Sequence, residues 1–210
     1  MSPQPKPHLS FEDWLEGERA SLEGRSEYLG GEVFAMSGAS AAHNGIVMNI
    51  GSGLRTRMEG CPCQVYANDM KVRVRGSDAG AYPDLVAFCG EHEFQDDRRD
   101  VLLNPSLIVA VLTAREGRDI RNAGAVADNS DSTEAYDRGR KFALHRQIPS
   151  LREYLLVSQR QAQVELYTRG DDGRWILGDF NALTDSVPLT SVDCTLGLAE
   201  VYDKVEPLAP

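Results

Sequence analysis

The clearest scarcity in the sequence is cysteine, with four residues in a chain of 210. Cys61 and Cys63 form a CxC pair, whereas Cys89 and Cys194 stand alone, so the paired ligand spacing of a structural zinc site is absent. A disulfide scaffold is not needed either, because a chain of this length can bury a sizeable core. The sequence therefore predicts reduced thiols in a cytoplasmic protein.

Long apolar runs are missing as well. No stretch of about 18 apolar residues occurs in the chain, which argues against a transmembrane helix. The first ten residues, MSPQPKPHLS, are polar and proline-rich and lack the apolar segment of a secretory signal. We expect a disordered tail at residues 1–8 and a protein that has no membrane partner.

Positive charge is also in short supply. Lys and Arg number 22 against 32 Asp and Glu, and the formal net charge is -10 at pH 7. A protein with this balance does not coat nucleic acid electrostatically. Any polyanionic partner must therefore meet a local basic patch.

What the sequence does contain is a series of helix signals. In SFEDWLEGE, Ser10 is a candidate N-cap followed by acidic residues, which predicts a short helix. From Ala42, apolar residues recur at four-residue steps as far as Met58, which predicts an amphipathic helix. The segment DSTEAYDRGRKFALHRQIP predicts a third helix that stops before Pro149.

Strand signals lie between these helices. SEYLGGEVFAMSG predicts a hairpin, and QVYANDMKVRVRG alternates apolar with basic residues, as in a half-buried strand with one basic face. YPDLVAF and PSLIVAVL predict strands buried on two sides, and three more strands follow Pro149. The order of elements predicts one α/β or α+β domain with a mixed sheet, spanning residues 9–205.

Asp84 precedes four apolar residues, Leu85 to Phe88, at the start of one buried strand. It is either a residue of a Pro-Asp turn or a functional carboxylate held at the start of the strand. With the neighbouring strand LIVAVL and the helix that carries Lys141, it suits a Mg²⁺ site for phosphodiester cleavage. The alternative is that Lys141 lies on a solvated helix face, paired with Asp137.

Two further residues have both a structural and a functional interpretation. His43, at a helix start, is either a capping or surface group or a catalyst. Glu32, in a tight hairpin, is either solvated or a ligand.

Several of these segments resemble one known family. EYLGGEVFAMSGASAAHNGIVMNI, YPDLVAF, NPSLIVAVL and STEAYDRGRKFALHRQIPSLREYLLVSQ together look like the Uma family of proposed restriction endonucleases, a bacterial branch of the PD-(D/E)XK nuclease superfamily. The resemblance covers roughly residues 9–205. It implies a restriction-endonuclease-like core in which a central mixed sheet is flanked by helices.

The resemblance also implies roles for individual residues. Asp84 would be the aspartate that binds Mg²⁺ (or Mn²⁺), and Glu32, with Glu27 as a further candidate, would be acids contributed by the N-terminal elements. His43 matches a recurrent histidine, and Lys141 matches a lysine carried by a helix. For contacts to nucleic acid we expect Lys71, Arg73 and Arg138.

The sequence departs from the family pattern in three places. Ala110 stands where the pattern has the second acidic ligand, and His145 stands where tyrosine is usual. Residues 113–129 form a charged, glycine-containing insertion, which we expect to project from the sheet. Loss of one carboxylate weakens a site for a hard cation, because so few protein oxygens hold it.

These features predict a Mg²⁺-dependent endonuclease acting on DNA. Because nucleases of this superfamily often dimerise, the resemblance also implies a homodimer. The alternative is a catalytically impaired nuclease-fold protein that binds nucleic acid or another protein. Ala110 favours this alternative.

Overall fold

The computed structural model describes residues 9–22, 24–36, 38–112 and 137–206. Its helices are α1 (Phe11–Ala20), α2 (Ala41–Arg57), α3 (Phe142–His145) and α4 (Leu198–Val201), and a π-helical turn (Asp137–Lys141) leads into α3. The side chain of Ser10 caps α1, and Asp13 completes a capping box, as the sequence predicts. The predicted tail at 1–8 and the predicted insertion at 113–129 lie outside the described residues.

A six-stranded mixed sheet forms the centre of the fold. In the described residues, the strands Leu107–Val111 and Glu153–Val157 run parallel in this sheet, and its other neighbouring strands are antiparallel. The strands in spatial order are β11 (Trp175–Phe180), β10 (Val164–Arg169), β9 (Glu153–Val157), β8 (Leu107–Val111), β6 (Leu85–Cys89) and β3 (Cys63–Ala67).

A second sheet has five strands, and a third has two. The five-stranded sheet follows the order β2 (Glu32–Ala35), β1 (Ser26–Leu29), β5 (Ala79–Ala81), β4 (Lys71–Val74) and β7 (Val101–Leu102). The two-stranded sheet pairs β12 (Ser186–Leu189) with β13 (Cys194–Gly197). Short 3-10 turns lie at Arg75–Ser77 and Thr190–Val192.

The central sheet is buried on both faces. Along β6, Leu85 and Ala87 pack into a cluster with α2 and α4, whereas Val86 and Phe88 pack into a second cluster on the other face. The second cluster, called here the inter-sheet cluster, also contains Val72, Val74 and Ala79 of the five-stranded sheet. The two-sided burial predicted for YPDLVAF and PSLIVAVL is confirmed, as is the mixed α+β fold with a central mixed sheet flanked by helices.

One strand prediction is wrong in its connectivity. The segment QVYANDMKVRVRG forms two strands, β3 and β4, which belong to different sheets. The break falls at Asn68, whose φ of 48° lies in the left-handed region. Asparagine reaches this region more readily than most residues, so it can turn the chain between the two sheets.

The prediction of four reduced thiols is also wrong. Cys63 and Cys89 face each other across the β3–β6 pair and form a disulfide. The antiparallel register brings the two sulfurs together, although the cysteines lie 26 residues apart in the sequence. Cys61 and Cys194 are free.

Candidate active site

Asp84 lies immediately before β6, and both of its carboxylate oxygens have partners. Its Oδ2 accepts a hydrogen bond of 2.7 Å from the backbone N–H of Val111, and its Oδ1 lies 3.0 Å from Nε2 of His43. Its backbone carbonyl accepts a hydrogen bond of 3.0 Å from the N–H of Asn68. These contacts join the strand's mouth to β8, to α2 and to the β3–β4 turn, so they fix the orientation of the carboxylate.

Ala110 lies next to Asp84 in the strand register. The β6–β8 pair matches Leu85 with Val109 and Val86 with Ile108, and the same register extended by one residue sets Asp84 opposite Ala110. Directly opposite residues of an antiparallel pair share a face of the sheet. Ala110 is 8% exposed and packs in the inter-sheet cluster, so it presents a methyl group and no ligand oxygen at this point.

His43 lies in the first turn of α2 and is buried. Ser40, not His43, caps the helix: its Oγ accepts a hydrogen bond from the N–H of His43. With Nε2 at Asp84, the imidazole is neither a cap nor a surface group. Its Nδ1 has no hydrogen-bond partner in the described part of the chain.

Gln159 ties the end of β8 to the start of α2. Its Nε2 donates a hydrogen bond of 2.7 Å to the carbonyl of Leu112, and its Oε1 accepts one from Oγ of Ser40. The side chain is 3% exposed. This link supports the helix turn that carries His43, and only tertiary contacts reveal it, since no local motif marks Gln159 in the sequence.

A second acid–base pair joins the five-stranded sheet to the π-helical turn. Nζ of Lys141 lies 3.2 Å from Oε1 of Glu27, which is buried on β1. Both side chains line a pocket, together with Tyr28, Leu29, Val74, Ala79, Gly80, Ala81, Leu144 and His145. Several of these lining residues also contact the inter-sheet cluster that contains Ala110.

His145 also lines this pocket. It is 3% exposed, its ring packs against Tyr154 at 5.6 Å between centroids, and its Nδ1 has no hydrogen-bond partner among the described residues. Burial, together with the positive charge of Lys141, lowers the pKa of His145 to about 3. The imidazole is therefore neutral at physiological pH.

The hairpin register separates the two N-terminal acids. Glu27 faces inward, whereas Glu32 is exposed at the other end of the hairpin, paired with Leu29. The structure thus brings Glu27 to Lys141 and leaves Glu32 in solvent. The predicted ligand role of Glu32 gains no support from this placement.

Two of the residues predicted to contact nucleic acid have partners within the protein. Lys71 is 7% exposed, and its Nζ lies 3.2 Å from Oδ2 of Asp100. Arg73 forms an ion pair of 2.9 Å with Glu12 and covers the ring of Phe11. The basic face of β4 is thus covered largely by α1 and the loop before β7.

The third of these residues, Arg138, has a side chain outside the described part of the structure. The contacts of Lys71, Arg73 and Arg138 with nucleic acid stay predictions.

The site offers a small set of oxygen donors for a divalent cation. Within the described ranges, no group of three or more His, Cys, Asp or Glu side chains has a metal-binding arrangement. Mg²⁺ needs only one or two protein carboxylates, since water completes its shell. Asp84 and Glu27 are both carboxylates, but they belong to separate contacts: Asp84 contacts His43 of α2, and Glu27 contacts Lys141 in a pocket whose described lining does not include Asp84.

Comparison with known proteins identifies the family. The model of the Uma2 family, described as "Putative restriction endonuclease", matches residues 10–123 and 129–199. This chain belongs to the Uma2 family. The match is interrupted at 124–128, inside the segment that the sequence analysis predicts as an insertion.

Two curated relatives come from Synechocystis sp., and both are uncharacterized. The protein slr1290 is 30% identical over 198 residues, which cover 94% of this chain and 93% of the relative. The protein sll1609 is 31% identical over 169 residues, which cover 80% of this chain and 85% of the relative.

A crystal structure shares the fold. It is that of a "putative nuclease belonging to DUF820" from Anabaena variabilis, with a TM-score of 0.67 at 13% identity, covering 94% of this chain and 99% of that one. At this identity the likeness shows the fold alone.

In the described part of the Uma2 chain, no helix has the length and apolar character needed to cross a membrane.

Proposed function

We propose that this Uma2 protein is a metal-dependent endonuclease that hydrolyses phosphodiester bonds of DNA. The observation that carries the proposal is the placement of Asp84. It is a partly buried carboxylate at the mouth of a core strand, held by the N–H of Val111 and by His43. Placing a carboxylate at the entrance to a core costs desolvation free energy. Binding of a cation would explain why a carboxylate lies there.

Asp84 would hold the ion, Mg²⁺ or Mn²⁺, and Glu27, which faces Lys141, is the candidate second acid. When bound, such an ion polarises the phosphate and activates water for attack. Lys141 contributes a positive charge that stabilises the charge developing on the phosphate oxygens. His43 orients Asp84 through the contact between Nε2 and Oδ1.

The second candidate function is a nuclease-fold protein that binds nucleic acid without cutting it. Ala110 favours this candidate, because the β6–β8 register extended by one residue sets it opposite Asp84, and its methyl group supplies no second carboxylate to share a cation. A site with one fewer anionic oxygen holds the cation less tightly and compensates its charge less well.

Nicking of supercoiled plasmid DNA in Mg²⁺ or Mn²⁺ distinguishes the two functions. The proposal predicts slow metal-dependent nicking by the wild type and faster nicking by Ala110→Glu. Asp84→Asn should reduce the rate by roughly 100-fold or more, as removal of a charge-stabilising group does. Asp203→Asn, which neutralises an exposed aspartate elsewhere, should leave the rate unchanged.

Metal-dependent nicking that survives Asp84→Asn would remove Asp84 from the mechanism. Folded wild-type and Ala110→Glu proteins that bind DNA and never nick it would instead support the binding function.

A further inference from the structure

Four arginines lie at the end of the structure where α3 meets β9 and β10. They are Arg75, Arg146, Arg152 and Arg169, called here the arginine patch. Arg75, Arg146 and Arg152 are exposed, and Arg169 is partly exposed. They come from four separate segments of the chain, so the patch has no sequence motif.

Backbone contacts bring three of these arginines together. The N–H of Arg169 donates a hydrogen bond of 2.8 Å to the carbonyl of Arg152. The guanidinium of Arg169 donates to the carbonyls of Arg146 and Ile148, the latter at 3.1 Å. Arg169 thus fixes the chain after α3, from which Arg146 extends.

Arg75 joins the patch through its neighbour in the chain. The side-chain oxygen Oε1 of Gln147 lies against Gly76: a β-carbon added to this glycine would be 3.4 Å from that oxygen. Arg75 precedes Gly76, and Arg146 precedes Gln147, so the side chain that follows Arg146 reaches the residue that follows Arg75.

The charge of the patch is not balanced by ion pairs in the described part of the chain. Within the described ranges, none of the four arginines forms an ion pair with Asp or Glu, in contrast to Arg19, Arg57 and Arg73. Burial and the nearby charge of Arg152 lower the pKa of Arg169. Like charges held together without counter-charge, in a chain of net charge -10, are typical of a surface that meets an anion.

The patch borders the pocket that holds Glu27 and Lys141. Val74 and His145 both line this pocket. Arg75 and Arg146 are the next residues in the chain after them, and both are exposed. Two residues of the patch are therefore chain neighbours of residues that line the pocket.

We propose that the arginine patch binds the phosphate backbone of duplex DNA and positions it at the Lys141 pocket. This inference rests on the proposed function, because it takes DNA as the substrate. Guanidinium groups suit phosphate, since their planar fork of donors can contact two oxygens at once. We assign the DNA contact to the patch and not to Lys71 and Arg73. The charges of those two side chains are paired with Asp100 and Glu12 of the same protein.

Fluorescence anisotropy of a labelled DNA duplex, without divalent metal, tests the patch separately from catalysis. The test variant is Arg75→Gln/Arg146→Gln/Arg152→Gln in the full chain. The control is Arg55→Gln/Arg98→Gln/Arg160→Gln, which removes the same charge from exposed arginines on other segments. Circular dichroism and thermal unfolding check that both variants are folded.

The patch variant should bind DNA at least about 10-fold more weakly than the wild type. The slope of log affinity against log salt should fall by roughly one for each phosphate that the variant no longer neutralises. The control variant should bind nearly as the wild type does. Equal weakening in both variants, or unchanged binding by the patch variant, would overturn the proposal.

Two other outcomes would also overturn it. One is a wild type that does not bind duplex DNA at low salt. The other is a wild type that binds a poly-glutamate peptide, but not DNA, through the same arginines, since the patch would then recognise an acidic protein. Patch-dependent DNA binding without plasmid nicking would support the patch and count against the proposed hydrolysis, so the two failures are distinguishable.

Discussion

His145 is a residue whose protonation opposes folding. In the folded chain, burial and Lys141 lower its pKa to about 3, from an ordinary value of 6.5. Between these two values the unfolded chain carries the proton and the folded chain does not. The free energy of unfolding must therefore fall as the pH falls from about 6.5 towards 3, and it is restored as the pH rises.

This linkage gives a numerical prediction for His145. Between pH 7 and pH 5, its contribution to the free energy of unfolding should fall by about 2 kcal/mol. In His145→Tyr, which keeps an aromatic ring and removes the imidazole, this part of the pH dependence should vanish. Urea unfolding at the two pH values measures the difference.

The lowered pKa of Asp100, about 2, affects stability only at more acidic pH, so it does not interfere. Identical pH dependence in the wild type and His145→Tyr would contradict the burial of a neutral imidazole.

The β3–β6 ladder is the element that connects the disulfide to the candidate site. β3 is the edge strand of the central sheet, and Cys63 pairs with Cys89 at one end of the ladder. At the other end, Asn68 donates a hydrogen bond to the carbonyl of Asp84. A cross-link at one end of this short ladder therefore stabilises the strand that supports Asp84.

We expect two free thiols among the four cysteines of the native protein purified in air, and four after reduction with dithiothreitol. Cys63→Ser should lower the melting temperature by roughly 5–15 °C, because the unfolded chain loses a loop constraint. Cys61→Ser should leave it nearly unchanged. Four free thiols in the unreduced protein, or equal melting temperatures for both variants, would contradict the cross-link.

Local signals in the sequence were sufficient to predict most elements. Ser10 with Asp13, the apolar steps of α2 and the apolar runs of β6 and β8 each depend on neighbouring residues, and all are confirmed. The sequence could not predict the Cys63–Cys89 pair, because strand register between distant segments decides it.

For the candidate site too, local sequence patterns predict some features, and tertiary packing decides the others. The alternation of β4 predicts a basic face correctly, but α1 covers Arg73 with Phe11 and Glu12, an arrangement that no local pattern encodes. The preference for Glu27 over Glu32 at Lys141 likewise depends on how the hairpin packs against the π-helical turn.

Across the whole molecule, charge is distributed unevenly in a way that suits the proposed function. The chain carries a net charge of -10, yet the arginine patch lies beside the pocket of Glu27 and Lys141 without neutralising carboxylates in the described ranges. A polyanion is repelled by most of the surface and attracted at this place. Two packed sheets bring together the separate segments that form this region.

Titration of Mn²⁺ into the folded protein by isothermal calorimetry tests the central claim, that Asp84 holds a catalytic cation. We predict saturable binding to the wild type, no binding to Asp84→Asn, and binding at least about 10-fold tighter in Ala110→Glu, because a second carboxylate adds an anionic oxygen beside the first. Absence of binding in both the wild type and Ala110→Glu, or binding that Asp84→Asn leaves unchanged, would contradict the claim.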